Sequence, residues 1–408
     1  MTMKRAFDWS GRMKRPGIVI FCAAFIVTLA MGVRQAFGLF MPQMSVSLGI
    51  GRESFGLAIA ISNLVFGLVQ PFIGALGDRY GAGRVVLAGT VLYVAGLAGA
   101  AWIGSAAGLY LTFGFLIGVG LAATTFVIVL GAVGRVVPAE RRGLAFGIVT
   151  AGGSLGQFLV VPGAAMLLGE LGYRVALIVL AGLVALCAVL AIGVAGKPAA
   201  AAQDEPRQSL REALAQAAGY SGYWLLNAGF FVCGFHIAFI ATHFPAYLQD
   251  QGLGLSIGAT ALALVGLFNI FGSYLFGLSG DFWRKNYVLS GLYAARGVVI
   301  AVFLLMPLTT ASALIFAGAM GFLWLGTVPL TSGLVGAMFG MRHLSMLYGI
   351  VFLSHQIGSF FGSWAAGYYF DRDGNYSWAW AVSIGLSVLA ALVHLPIRDA
   401  AAVRAQTA

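Results

Sequence analysis

The sequence predicts an all-α polytopic membrane protein whose twelve transmembrane helices form two pseudo-symmetric six-helix bundles, and three observations carry that prediction. Of 408 residues, 60% are hydrophobic and only 9% are charged, a composition outside that of soluble globular domains. The apolar residues gather into runs long enough to cross a hydrocarbon core about 30 Å thick. The pattern of the first half returns in the second at a nearly constant spacing.

The first run, 18–41, follows Lys14-Arg15-Pro16 and shows no small-residue cleavage site, so it reads as span one and not as a signal peptide. Spans two to six follow at 54–76, 85–104, 107–131, 143–168 and 174–196. The longest polar stretch comes next, Lys197 to Gly219, with Asp204-Glu205-Pro206-Arg207 and an amphipathic Ser209 to Ala218. It divides the chain into an N-terminal bundle over 1–196, a cytoplasmic linker over 197–220 and a C-terminal bundle over 221–408. Spans seven to twelve occupy 221–247, 256–279, 287–307, 311–338, 345–370 and 376–397. The 58 glycines suit helices whose backbones approach closely.

Under this layout 18 of the 23 Lys and Arg residues fall at the termini and in the loops on their side of the membrane. Arg52, Arg174 and Arg372 lie on the other side, and Arg34 and Arg296 lie within spans. Both termini are therefore expected in the cytoplasm, and compact loops suggest a bacterial inner membrane. The net charge of +10 marks topology and not a nucleic-acid partner. All 13 acidic residues fall outside the spans, so the expected membrane interior holds two cations and no carboxylate.

Three pairs carry the repeat. Gly74-Ala75-Leu76-Gly77-Asp78 returns as Gly277-Leu278-Ser279-Gly280-Asp281, and Phe40-Met41-Pro42 as His243-Phe244-Pro245, both offset by 203. Phe146-Gly147-Ile148 returns as Tyr348-Gly349-Ile350, offset by 202. Duplicated bundles related by an axis along the membrane normal follow, and they set Val33, beside Arg34, opposite His236.

Chemistry-bearing patterns are few. Cys22, Cys187 and Cys233 lie in apolar runs without metal-ligand spacing, so neither disulfides nor a metal site is expected. There is no Gly-x-x-x-x-Gly-Lys phosphate loop and no Ser/His/Asp or Cys/His constellation outside the spans. No enzyme and no cofactor is expected.

Gly74-x-x-x-Asp78-Arg79-x-Gly81-x-x-Arg84 resembles the signature loop of the major facilitator superfamily, and the twelve spans with a central linker agree with it. The resemblance implies that Asp78, Arg79, Arg84 and Asp281, in a degenerate second copy ending Asp281-Phe282-Trp283-Arg284-Lys285, gate the cytoplasmic side. Arg142-Gly143-Leu144-Ala145-Phe146-Gly147 followed by Ala151-Gly152-Gly153-Ser154-Leu155-Gly156 is similar to the fifth-helix motif of monocarboxylate porters and their oxalate and formate relatives. Close packing of span five on a neighbour is the plain alternative for those small residues. The Gly-x-x-x-Gly-Pro-x-x-Gly-Gly run and the span-four arginine of drug exporters are absent. So are two monocarboxylate-porter features: the acidic-Gly motif leading into span one, and the span-eight arginine, where this chain reads Phe268-Asn269-Ile270-Phe271-Gly272-Ser273.

Arg34 is the natural replacement for that missing counter-charge. An unpaired cation inside a bilayer costs roughly 2.5 to 3.5 kcal/mol on insertion scales, so something must compensate it. Spans one, four, seven and ten line the cavity in this superfamily, which implies that Arg34 and Gln35 reach it. His236 on span seven is expected to hydrogen-bond a substrate carboxylate, and His236 or His355 to handle protons. His243 stands two turns beyond His236 on the same face. Asn269 and Trp324 complete the expected substrate site, and Asn63, Gln157 and Arg296 are further polar candidates, with a tie to backbone carbonyls preferred for Arg296. The reading is a secondary transporter of a small organic anion, a monocarboxylate, by alternating access with proton symport, working as a monomer in the lipid bilayer. An exporter of neutral or amphipathic compounds and a transporter-like membrane sensor are the alternatives.

Overall fold

The structure is a computed structural model that describes residues 16–137, 142–195, 210–340 and 344–400. The side chains of Asp78, Arg135 and Asp281 and of residues 142–144, 210 and 344–345 lie outside the description, which leaves two of the expected gating residues and the start of the fifth-span motif unplaced. Among the described residues every regular element is a helix, and ten helical stretches are long and apolar enough to cross a membrane.

Span one is longer than 18–41 and is jointed. Helix α1 (Pro16–Gln35) begins with proline, whose fixed φ suits a first turn, and a tightened turn at Ala36 passes it to α2 (Phe37–Leu48). Gly49, at φ +63°, ends α2. Helix α3 (Arg52–Tyr80) has no capping side chain of its own; Asp371, more than 300 residues away, accepts the amides of Arg52 and Glu53 at 3.0 and 2.8 Å. Helix α4 (Ala82–Ala100) follows the positive-φ Gly81.

Span four is the most irregular. It runs through α5 (Ala106–Leu109), a π turn (Tyr110–Leu116), α6 (Ile117–Thr124) and α7 (Phe126–Val136), and it breaks at Thr125, whose backbone is extended. The hydroxyls of Thr124 and Thr125 turn back to the carbonyls of Gly120 and Leu121, satisfying part of the freed backbone. Spans five and six form one run, α8 (Arg142–Leu190), broken only where Gly172 takes φ +74°. In the linker, α9 (Leu210–Ala218) buries Ala213 and Ala217, and Trp224 donates to the carbonyl of Ala218.

The second half runs α10 (Ser221–Asp250), α11 (Leu255–Phe282), α12 (Lys285–Leu305), α13 (Thr310–Phe322), α14 (Thr327–Phe339), α15 (Leu344–Asp373) and α16 (Ser377–His394). Thr309 and Ser312 form a capping box at the start of α13. Span ten, expected as one helix, is interrupted between α13 and α14.

Glycines set how closely the helices meet. A Cβ on Gly152 or Gly156 of α8 would strike the carbonyls of Ala24 and Thr28 on α1, so the small residues of the fifth-span motif pack that helix against α1. On Gly234 it would strike the carbonyl of His355, and on Gly358 that of Phe231, which holds α10 against α15. The buried side chains group accordingly: one cluster runs from Ala217 to Ile397, and two others draw mainly on residues 19–194.

Candidate functional site

Arg34 is partly buried near the end of α1, and its Nη2 donates to Asn63 Oδ1 on α3 at 2.6 Å. Its guanidinium also lies 5.6 Å from the centre of the Phe66 ring, one turn further along α3. Among the described residues no carboxylate pairs with it. Asn63 does double duty: its Nδ2 reaches Ser363 Oγ on α15 at 3.5 Å, while its backbone carbonyl accepts from Gln356 Nε2 at 3.0 Å. Gln356 in turn accepts from His355 Nδ1 at 3.0 Å, and the His355 ring stacks on Phe352.

Next to Arg34, Gln35 donates to Gln157 Oε1 on α8 at 3.0 Å, and Gln157 Nε2 donates to the carbonyl of Leu262 on α11 at 2.8 Å. Asn269 donates to Ser154 Oγ at 2.9 Å. The polar candidates therefore form two seams that join the first half of the chain to the second. One runs between α3 and α15, the other between α8 and α11.

Asn269 has a further role that its sequence context does not announce. Its Oδ1 accepts the amide of Leu325 at 3.0 Å, inside the interruption of span ten. Arg296, fully buried on α12, donates from Nε and Nη2 to the carbonyl of Leu323 at 3.1 and 2.7 Å and from Nη2 to that of Trp324. Together the two side chains fasten the joint between α13 and α14. Trp324 sits in that joint, 1% exposed, as part of the apolar core, with Nε1 unpartnered.

His236 is bonded toward α16. Its Nε2 meets the carbonyl of Ser383 on α16 at 2.9 Å, its ring is fully buried, and it shares no hydrogen-bond partner with Arg34. The repeat equates chain positions but leaves the rotation of the side chain about the helix free, and the ring turns toward α16. Arg79 and Arg84 are exposed, with Arg79 over the Tyr80 ring.

One cluster has no forecast in the sequence. Arg52 at the start of α3 forms a two-pronged ion pair with Asp250 at the end of α10, at 2.6 and 2.5 Å. Arg52 also donates to Tyr376 Oη at 2.8 Å and lies 3.9 Å over the Phe370 ring, and Trp364 donates to Glu53 at 3.1 Å. These contacts latch the two halves at the end predicted to face outward. The matching end signal in the sequence was only three scattered cations and five acids, whose pairing depends on the fold.

The pattern of the Major Facilitator Superfamily matches residues 20–330. The chain belongs to that superfamily. It is 25% identical to the uncharacterized MFS-type transporter YcxA of Bacillus subtilis (strain 168) over 399 residues, covering 93% of this chain and 95% of the relative. It is 27% identical to monocarboxylate transporter 11 of Mus musculus (93% and 87% covered) and 27% identical to monocarboxylate transporter 13 of Rattus norvegicus (92% and 89%). Among solved structures the fold resembles a bacterial homolog to the human lysosomal transporter Spinster in its inward-facing, unoccupied conformation, with TM-score 0.73 and 16% identity, covering 95% of this chain and 96% of that one. The chain is thus an integral membrane protein of the major facilitator fold, and these relatives and this structural neighbour are named as transporters.

Proposed function

We propose that this major facilitator carries a small organic anion, a monocarboxylate, by alternating access between two six-helix bundles. The observation that carries the reading is Arg34: a partly buried arginine inside a membrane-spanning helix, held by a neutral amide and facing an aromatic ring, with no carboxylate partner among the described residues. A neutral amide is a weak partner for a cation in a medium of low dielectric, and a carboxylate forms the stronger, charge-assisted bond. Homology to monocarboxylate transporters at about a quarter identity supports the same substrate class.

Gln35, next to Arg34 in the chain and only partly buried, is the neutral donor for a remaining oxygen of such a substrate, and Gln157 holds its amide. His236 is tied through Nε2 to the Ser383 carbonyl on α16, and Asn269 is engaged with Ser154 and Leu325, so neither is part of the proposed contact set. Since none of the described acidic residues lies deep in a span, a co-transported proton travels on a histidine or on the substrate carboxyl itself. Symport, a monomeric working unit, an inner-membrane location and cytoplasmic termini complete the proposal.

The test is counterflow of a labelled short monocarboxylate in proteoliposomes, with and without an inward proton gradient. Saturable uptake that the gradient accelerates, and that Arg34→Gln lowers at least about tenfold, is the expected result. Uptake unchanged in Arg34→Gln removes the arginine from the site, and transport confined to neutral or cationic compounds replaces the anion reading with the exporter one.

A further inference from the structure

The Arg34 site and the Arg52–Asp250 latch are the two ends of one hydrogen-bonded chain. From Arg34 it passes to Asn63 at 2.6 Å and across the halves to Ser363 Oγ at 3.5 Å. The carbonyl of the same Ser363 is 2.7 Å from His243 Nε2, and His243 Nδ1 is 3.1 Å from Tyr376 Oη. Tyr376 Oη accepts from Arg52 at 2.8 Å, and Arg52 holds Asp250. Ser363, His243 and Tyr376 are each at most 3% exposed, so water does not compete for these bonds.

The donors run inward from both ends of the chain and meet at Ser363. Arg52 is donor only, so Tyr376 Oη accepts from it and gives its own hydrogen to His243 Nδ1. His243 is then the Nε2–H tautomer, and its remaining hydrogen goes to the Ser363 carbonyl. Ser363 Oγ, which accepts from Asn63, itself donates to the carbonyl of Ser359 one turn back on α15 at 3.0 Å. A shift at Ser363 is therefore felt at Tyr376, and through it at Arg52.

We propose that Asn63, Ser363 and His243 are positioning residues that make the outer latch respond to occupancy of Arg34. The inference rests on the anion reading given above. In the empty carrier Asn63 Oδ1 fills the place of a carboxylate on Arg34, and the same amide holds Ser363. An incoming carboxylate takes Nη2 by forming the stronger charge-assisted bond. Asn63 then loses the contact that fixes its amide, releases Ser363 Oγ, and frees the strand of bonds that steadies Tyr376 under Arg52. Binding energy at the centre is thereby spent on loosening a contact at the membrane surface, which is what a ligand with different affinity for two states must do.

The test uses the full chain with spin labels at Val46→Cys and Ser256→Cys, exposed positions on the two sides of the latch; the three native cysteines are buried. Adding a short monocarboxylate is expected to raise the long-distance, latch-open population about tenfold in the parent. In Ser363→Ala, which removes the link to Asn63 and the bond to the Ser359 carbonyl but keeps the backbone carbonyl that holds His243, the rise falls below about threefold while thermal stabilisation by the same acid persists, and Ser363→Thr restores it. Tyr376→Phe, remote from Arg34, gives the same uncoupling. A parent-sized response in both Ser363→Ala and Tyr376→Phe overturns the relay. Binding without any response in the parent overturns the relay alone, whereas no carboxylate binding at all overturns the functional reading and the relay with it.

Discussion

Replacing Arg52 by glutamine tests how much of the closed outer end rests on one side chain. The substitution removes a two-pronged pair with Asp250 whose side chains are 14% and 31% exposed, a bond to Tyr376 and a cation stacked 3.9 Å over Phe370. Solvent screening keeps the exposed pair at about 1 kcal/mol. The tyrosine bond adds about 1 kcal/mol, and the ring contact about 0.5 to 1 kcal/mol. Losing all three favours the latch-open state by about 2 to 3 kcal/mol, a change of about 30- to 150-fold in its population ratio. The Val46–Ser256 label pair reads this ratio directly. Asp250→Asn should open the latch less, because it spares Tyr376 and Phe370, and the double variant should fall short of the sum of the two. Raising salt in the parent should move the distribution in the same direction, since part of the pair is screened. A distance distribution that Arg52→Gln leaves unchanged refutes the assignment of the latch.

Arg296→Met is expected to lower thermal stability by several degrees, since it leaves the carbonyls of Leu323 and Trp324 without a buried donor, each orphan costing about 1 to 3 kcal/mol, and a melting temperature at or above the parent's would refute this. Its effect on carboxylate affinity should stay within about threefold if the arginine is structural. His236→Gln should leave monocarboxylate uptake close to the parent's, because the ring faces α16; loss of uptake at unchanged stability would return it to the site. Gly234→Val should abolish folding yield in detergent, as its side chain meets the carbonyl of His355 on α15, and normal yield with an unshifted gel-filtration profile would contradict the close packing.

Most of the fold is legible because its signals are local. Hydropathy finds the apolar runs, and the glycines of 152–156 announce close packing, which the contact with α1 fulfils. The joints at Ala36 and Thr125 are not legible, because no proline stands at them, and that at 323–326 is not, because the groups that satisfy its backbone come from α11 and α12. Of the site, Arg34 stands out as a charge in an apolar run, and so does its neighbour Gln35. What each one touches depends on helix rotation, which fixed register does not give: His236 turns to α16, and Asn269 and Arg296 turn to the span-ten joint. Ser363 and Tyr376 carry no sequence signal at all, since a serine and a tyrosine in such a chain are ordinary residues until their partners are known.

The two joints in the fourth and tenth spans occupy related places but are built differently. At Thr125 the freed carbonyls of Gly120 and Leu121 are satisfied from within the same span, by the hydroxyls of Thr124 and Thr125. At 323–326 the freed groups are grasped from outside, the carbonyls of Leu323 and Trp324 by Arg296 on α12 and the amide of Leu325 by Asn269 on α11. A joint stitched only to itself bends without breaking any bond to its neighbours, whereas one pinned by two other helices moves only if they move with it. The molecule is thus lopsided as a machine: the fourth span is a pliant elbow and the tenth a welded corner. Backbone amides just after Thr125 should accordingly exchange with deuterium sooner than those just after Trp324, and bending during the transport cycle should concentrate in the first half of the chain.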